Sequence, residues 1–440
     1  MISQHSGSYR GEGNGDQKKK KKPSRRRTHT HIGREERKVG EERKRKGEME
    51  RVRFFLQAAF AFLARSLVVA ARIISTLSLI CAIAPYLSNQ FAVPGIGQTF
   101  PRFSGLVPAF AKLPWACTHE ELAGYNLHGQ HALITGANSG LGLEAAKVLA
   151  RSGASVALAC RNLSKCEAAA AEVRLTADEG ASISTWVLDT SSMASVRLFA
   201  ADYIDKERHP IDMLLLNAGI ASAGMWVSGA ATLPLTEEGL EAVMATNHIG
   251  HSLLYELLLP THLLPARTAR VVLTSSASSF DTYSYGVATD LGTLNSPPER
   301  GFTSILNPYG QSKLAQILWA QEATRRLAEE GIKNVYINSM HPGSVHTSIW
   351  DSNPILSSAP LFLKRLVLFL REKVMWNPRD GALTLLWLAM AEDELRARNL
   401  RGLYWHPQCE RVTPHSAAAN STLKRRFWDF TVELTKFGRL

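Results

Sequence analysis

The stretch "TGANSGLG", residues 135–142, lies between the apolar run HALI and the segment beginning LEAAKVLARSG. Its reading decides the fold. Three glycines, Gly136, Gly140 and Gly142, fall in one short link between a strand pattern and a helix pattern. In a sheet built from repeated βα units such a link sits at the carboxyl edge, where helix N–H groups point outward and favour anions. Gly136 suits the tight turn, while Gly140 and Gly142 let the backbone approach a pyrophosphate and let the helix pack close to the strand. Alone, the glycines could mark only a turn; a strand before them and a helix after them favour a dinucleotide site.

Working outward, the same alternation continues. HALIT, SVALACR, SISTWVLD, IDMLLLN, ARVVLTSS and KNVYINSMHPG read as strands, and helical patterns such as SKCEAAAAEVRLT and LEAVMATNHIGHSLLYELLLP separate them. The strands are short continuous apolar runs, as a parallel sheet covered on both faces requires. The pattern predicts an α/β chain whose residues 126–440 form a single Rossmann-type domain, a doubly wound parallel sheet with helices on both faces.

Before that domain the chain changes character. Residues 1–53 hold 18 Lys and Arg against 8 Asp and Glu, so this tail carries +10 of the formal charge of +12 and the rest is close to neutral. With no aromatic residues among its charges, the block KKKKKPSRRR reads as a disordered basic tail, and no nucleic-acid partner is expected. Residues 54–87 are an apolar block interrupted by Arg65 and Arg72. The 22 residues from Ser66 to Leu87 contain one charge and are long enough for a hydrophobic N-terminal helix that crosses a bilayer core. Two alternatives stand beside this anchor: an interfacial helix, since the two arginines share a face, and an organelle transit peptide, since no acid occurs between Arg51 and His119. An endoplasmic-reticulum-like membrane location is expected first, a mitochondrion or plastid second. Met49 could open the anchor segment, which would leave the first 48 residues dispensable. Residues 88–125, punctuated by Pro and Gly, read as a linker. The five cysteines (Cys81, Cys117, Cys160, Cys166, Cys409) are odd in number and scattered, so free thiols are expected and no metal site.

Which dinucleotide the site takes depends on the end of the second strand. An NAD-preferring site places an acid about 20 residues after the glycines. Here the strand ends in Arg161, with Lys165 one helical turn further. A guanidinium can grip a 2′-phosphate through two hydrogen bonds, which predicts NADP(H).

Thr-Gly-x-x-x-Gly-x-Gly, the NAG at 217–219, Asn247, the serine pair 275–276, YGQSK at 309–313 and the PG at 342–343 stand in the order found in short-chain dehydrogenases/reductases. The chain resembles that family over roughly half its length. Within it, LACRNLSKCEAA, NHIGHSLLYELLLP and YGQSKLAQILWA resemble the retinol dehydrogenase and WW-domain oxidoreductase branch. The resemblance implies a catalytic set of Asn247, Ser276, Tyr309 and Lys313. Tyr309 would exchange a proton with the substrate oxygen, Ser276 would bond that oxygen, and Asn247 would hold a relay water. Lys313, four residues from Tyr309 and on the same helix face, would lower the phenol pKa and bind the nicotinamide ribose. The resemblance also implies cofactor contacts at Gly136, Ser139, Gly140, Leu141, Gly142, Arg161, Asp189, Asn217, Ala218, Gly219, Pro342, Gly343, Val345 and Thr347. Asp189 could instead cap the following helix.

Ser276 and Tyr309 are 33 residues apart, wider than in compact family members, so the intervening segment bears on substrate shape. The apolar stretch LFLKRLVLFL at 361–370 reads as a helix of the core or a lid over a greasy substrate. Together these features predict an NADP-dependent oxidoreductase acting on an apolar, retinoid- or lipid-like alcohol/carbonyl pair, associated with a membrane through residues 54–87. Whether copies of the chain associate is left open. A non-catalytic NADP-binding scaffold and a reductase of conjugated double bonds on the same fold are the alternatives.

Overall fold

The computed structural model describes residues 116–221, 233–298, 307–345 and 375–436. Six of its strands are those the apolar runs predict: β1 His131–Thr135, β2 Ser155–Cys160, β3 Ile183–Val187, β4 Met213–Leu216, β5 Ala269–Thr274 and β6 Val335–Met340. Two more, β7 Tyr404–His406 and β8 Glu410–Arg411, complete a sheet of order β3-β2-β1-β4-β5-β6-β7-β8. Every pair is parallel except β7 with β8, so the expected parallel sheet ends in one antiparallel edge.

The burial of the strands explains their unbroken apolar runs. Leu133, Leu214 and Leu216 join one core cluster, while their neighbours Ala132, Ile134, Met213 and Leu215 join the other. A strand with a helix layer on each side has no face left for polar residues. The first layer includes α3 Met193–Lys206, α4 Gly250–Leu258, α5 Asn307–Glu329 and α7 Ser421–Lys436, and the second includes α1 Gly140–Arg151, α2 Leu163–Arg174 and α6 Leu383–Met390. The two edge strands are incompletely covered, with Val187 of β3 and Arg411 of β8 exposed.

Three expectations need correction or placement. The long helix predicted around Asn247 runs unbroken through residues 242–263, but not as a regular α-helix: π-helical turns at Ala245–Ile249 and Leu259–Leu263 flank α4. Four cysteines are not free thiols, because Cys117 pairs with Cys409 and Cys160 with Cys166, each at a Cα separation of 5.8 Å. Their spacing hid the first pair, since 292 residues separate its members and only the fold brings them together. The tail 1–53, the apolar segment 54–87, most of the linker and the stretch 361–370 lie outside the described residues. Among the described residues, no helix is long and apolar enough to cross a membrane.

Closing a loop of that length by a disulfide removes much of the unfolded chain's freedom, a contribution of about 2–4 kcal/mol. Cys117→Ser is therefore expected to lower the unfolding temperature measured by circular dichroism. Identical melting of the variant and the parent would mean that this cross-link does not constrain the unfolded chain.

Candidate active site

Because β1 to β6 run parallel, their carboxyl ends share one edge of the sheet. The site residues expected from the sequence follow those ends within two residues: Gly136 after β1, Arg161 after β2, Asp189 after β3, Asn217 after β4, Ser276 after β5 and Pro342 after β6. Strand order reverses on either side of β1, which opens a crevice between the links that leave β1 and β4.

The glycine link lines that crevice. Gly136 has φ +66°, and a Cβ on it would fall 2.9 Å from the Ala218 Cα; one on Gly142 would fall 2.6 Å from the Gly136 carbonyl oxygen. The link is closed to side chains by its own backbone. Ser139 is the N-cap residue of α1, yet its side chain makes no capping hydrogen bond, and no acid occupies the first turn. By contrast, Asn162 caps α2 and Ser192 caps α3 with their own side chains. The α1 terminus thus keeps its positive dipole end and N–H groups available to an anion, with buried Leu141 anchoring the first turn in the core. A dinucleotide pyrophosphate fits this donor set.

Around the cradle, Arg161 is exposed at the mouth, and no carboxylate pairs with it among the described residues. Asp189 does not cap α3; its Oδ1 accepts from the backbone N–H and the hydroxyl of Ser191, at 2.9 and 2.6 Å. The Asn217 side chain donates to the Thr135 carbonyl at 3.1 Å and accepts from Thr274 at 3.4 Å, so it knits the ends of β1, β4 and β5. Pro342 and Gly343 are buried at the end of β6, and Val345 bridges to Trp376. Thr347 lies outside the described residues.

The four residues of the expected catalytic set meet on the other side of the crevice. A Cβ on Gly219 would lie 3.1 Å from Asn247 Oδ1 and 3.5 Å from Lys313 Nζ, which shows how closely these three elements converge. The Ser276 hydroxyl hydrogen-bonds the Tyr309 phenol. This needs α5 to press against the link after β5, and Gly310 permits it, for a Cβ there would fall 2.1 Å from the Asp281 carbonyl oxygen. Lys313 Nζ lies 5.4 Å from the Tyr309 ring centroid and donates to the Thr274 carbonyl at 2.7 Å.

The electrostatics depart from expectation in one respect. Burial pushes the Tyr309 phenol up to about 12, against a smaller lowering by the Ser276 hydrogen bond. Burial also pushes Lys313 down to about 7. A lysine whose own charge is disfavoured offers the phenol little positive field, so the protein's groups alone do not make Tyr309 acidic.

Asn247 is more fully committed than a water-holding role implies. Its carboxamide accepts from the Ile220 N–H at 2.8 Å and donates to the Ile220 carbonyl and the Ser312 hydroxyl, both at 2.9 Å. Its main-chain carbonyl, released from the α pattern by the π turn, accepts from Gln316 Nε2 at 2.7 Å and from His251 Nδ1 at 3.1 Å. The sequence reading missed His251, whose Nε2 faces the Thr135 hydroxyl at 2.9 Å, and Thr135 in turn accepts the backbone N–H groups of Asn217 and Ala218. That network assigns the proton of His251 to Nδ1. Burial holds the imidazole neutral, pushed down to about 3, with the Asn247 hydrogen bond working in the other direction and Lys313 adding to the lowering. The available signal was its position one helical turn after Asn247, in NHIGH.

Comparison with known proteins agrees with this geometry. The family model described as short chain dehydrogenase matches residues 130–288. Short-chain dehydrogenase TIC 32 A, chloroplastic, of Brassica napus is 35% identical over 327 residues, which are 73% of this chain and 93% of that protein. The WW domain-containing oxidoreductase of Gallus gallus is 33% identical over 323 residues, 72% of this chain and 70% of its own. Retinol dehydrogenase 13 of Homo sapiens is 31% identical over 304 residues, 68% of this chain and 82% of its own. Among solved structures, an uncharacterized protein from Mycobacterium paratuberculosis superposes with a TM-score of 0.52 at 28% identity, covering 72% of this chain and 97% of that one. With the glycine cradle, the serine, tyrosine and lysine on one sheet edge, and these relatives, the chain belongs to the short-chain dehydrogenase/reductase family, in its retinol dehydrogenase-like branch.

Proposed function

We propose that this oxidoreductase uses NADP(H) to interconvert an apolar carbonyl compound and its alcohol, with Tyr309 as the proton donor and acceptor. The observation that carries the reading is the meeting of Ser276, Tyr309 and Lys313 beside the uncapped N-terminus of α1. A bound nicotinamide supplies or takes the hydride. The protein's own groups do the rest. Ser276 orients the substrate oxygen against the phenol and bonds it as charge develops. Tyr309, protonated at neutral pH because burial raises it, is ready to give its proton to that oxygen in the reducing direction. Lys313 supports the phenolate left behind when it carries its ammonium charge, and it is near enough to the crevice to reach a ribose. Gly136, Gly140, Gly142 and the free N–H groups after Ser139 would hold the pyrophosphate, Asp189 would lie near the adenine, and Pro342, Gly343, Val345 and Thr347 near the carboxamide.

Exposed Arg161 supports a 2′-phosphate, because a carboxylate at the same strand end would repel one. An apolar substrate fits the retinol in the names of relatives such as retinol dehydrogenase 13 and the apolar segments of the chain. The acid-free stretch between Arg51 and His119, with a chloroplastic relative, supports organelle targeting, and the length of 54–87 supports membrane association.

Three outcomes check this account. Tyr309→Phe is expected to lower NADPH-dependent reduction of decanal or all-trans-retinal by about 10²–10⁴-fold while NADPH fluorescence enhancement on binding persists; undiminished turnover would remove the phenol from the mechanism. Arg161→Asp is expected to shift the NADP/NAD preference in kcat/KM by about tenfold or more toward NAD, since losing a charge-assisted hydrogen bond costs about 1.5–3 kcal/mol. An unchanged ratio would place the 2′-phosphate elsewhere. Reduction should weaken as pH rises through about 7, where Lys313 loses its proton and the phenolate loses its counter-charge. A rate of reduction that climbs through that range contradicts the assigned role of the lysine.

A further inference from the structure

Arg161 and Lys165, the two cations that follow β2, ride on a short bridge at the surface. Residues 161–165 are all exposed, whereas Cys160 before them and Cys166 after them are buried, at 1% and 0%. The two sulfurs are joined. The segment CRNLSKC is thus a covalently closed ring, with both cations of the expected 2′-phosphate site inside it.

Little else holds the bridge. Among the described residues the Arg161 and Lys165 side chains make no hydrogen bond or ion pair, and Asn162 Oδ1 accepts the Lys165 N–H at 2.9 Å. The helix that follows is lightly held as well. The buried residues of α2 are Cys166, Ala169, Ala170 and Val173. Apart from the valine these are small, and burial stabilises in proportion to the apolar area removed from water. Beyond β2 lies only β3, an edge strand with partly exposed side chains. A cross-link from the last residue of β2 to the fourth residue of α2 therefore fixes a corner that packing leaves loose.

The corner can also host the opened state. With the S–S bond broken, the Cys166 thiol has an acceptor in place, the Leu158 carbonyl 3.3 Å from its sulfur. A buried S–H that keeps a partner behaves as a small apolar group, so opening leaves β2 and α2 folded. What changes is the freedom of the five exposed residues between them. Arg and Lys lose much rotamer freedom when they grip a ligand, and a backbone already closed in a ring loses less on binding.

We propose that the Cys160–Cys166 disulfide determines cofactor preference: closed, it presents Arg161 and Lys165 together to the 2′-phosphate, and opened to two thiols it weakens NADP(H) while sparing NAD(H). This role rests on the NADP(H) reading given above. In the opening step a dithiol reductant gives two electrons and two protons to the S–S bond. Cys160 and Cys166 each become a thiol, and the reductant closes into its own disulfide. Because both sulfurs are buried, exchange proceeds through transient opening of the exposed bridge.

The test uses the full chain and reads the dissociation constants of NADPH and NADH from nicotinamide fluorescence, before and after treatment with dithiothreitol. Opening the ring is expected to weaken NADPH about three- to tenfold and to leave NADH unchanged. Cys166→Ser, whose hydroxyl keeps a donor for the Leu158 carbonyl, should show the weakened NADPH affinity without reductant and no further change with it. Cys117→Ser lacks the other disulfide and should respond to the reductant as the parent does, which assigns the effect to Cys160 and Cys166. The proposal is overturned if the parent's NADPH/NADH affinity ratio is the same before and after reduction, with both thiols confirmed by alkylation and mass spectrometry. Finding both thiols free in the untreated, air-oxidised chain overturns it too. If Cys166→Ser does not fold, the parent and Cys117→Ser decide. An untreated parent with no preference for NADPH, or Arg161→Asp with an unchanged preference, fails the NADP(H) reading itself and takes the disulfide's role with it. Those two results are read without reductant, so the two failures are distinguishable.

Discussion

The site depends on a chain of three hydrogen-bonded groups that ties the nucleotide side of the crevice to the chemical side. The Thr135 hydroxyl gathers the backbone N–H groups of Asn217 and Ala218, and His251 links that hydroxyl to the Asn247 carbonyl. One end of this chain is the residue that opens the glycine link. The other is the π turn whose Asn247 carboxamide fixes Ile220 and reaches Ser312 on α5. Thr135, His251, Asn247 and Ser312 are fully buried, where an unmet polar atom is costly, so the links on β1, β4 and the catalytic helix are held in one geometry. The neutrality of His251 is part of that constraint, because a second proton would take away the acceptor that faces Thr135.

Set against this rigid frame, Tyr309 and Lys313 are poised and incomplete. Burial holds the phenol protonated and makes the lysine charge labile near neutrality. Such a pair responds strongly to any charge brought into the crevice, since a low-dielectric setting magnifies each interaction. The same burial that costs ionisation thereby gives the site its sensitivity to the charge state of a bound nicotinamide.

Much of this was legible in the sequence. Buried parallel strands must be apolar throughout, so six of them stood out as runs such as MLLL and ARVVLT, and the links at their ends pointed to the crevice. The strand YWH did not stand out, because a three-residue strand has no period and owes its existence to pairing with β6. The π turns were hidden inside an unbroken helical pattern, and the Cys117–Cys409 pairing has no local signature at all. Spacing shows that Lys313 is near Tyr309, but only the fold shows that it is buried enough for its ammonium to be pushed down to about 7.

The central claim is that one crevice at the carboxyl edge brings a nucleotide against the phenol and ammonium of Tyr309 and Lys313. A crystal structure of the chain with NADPH tests this most directly. The account predicts the pyrophosphate on the N–H groups that follow Ser139, the 2′-phosphate on Arg161, and Lys313 Nζ moved from the Thr274 carbonyl to the nicotinamide ribose. A nucleotide bound elsewhere, or a lysine and tyrosine that diverge when it binds, would contradict it.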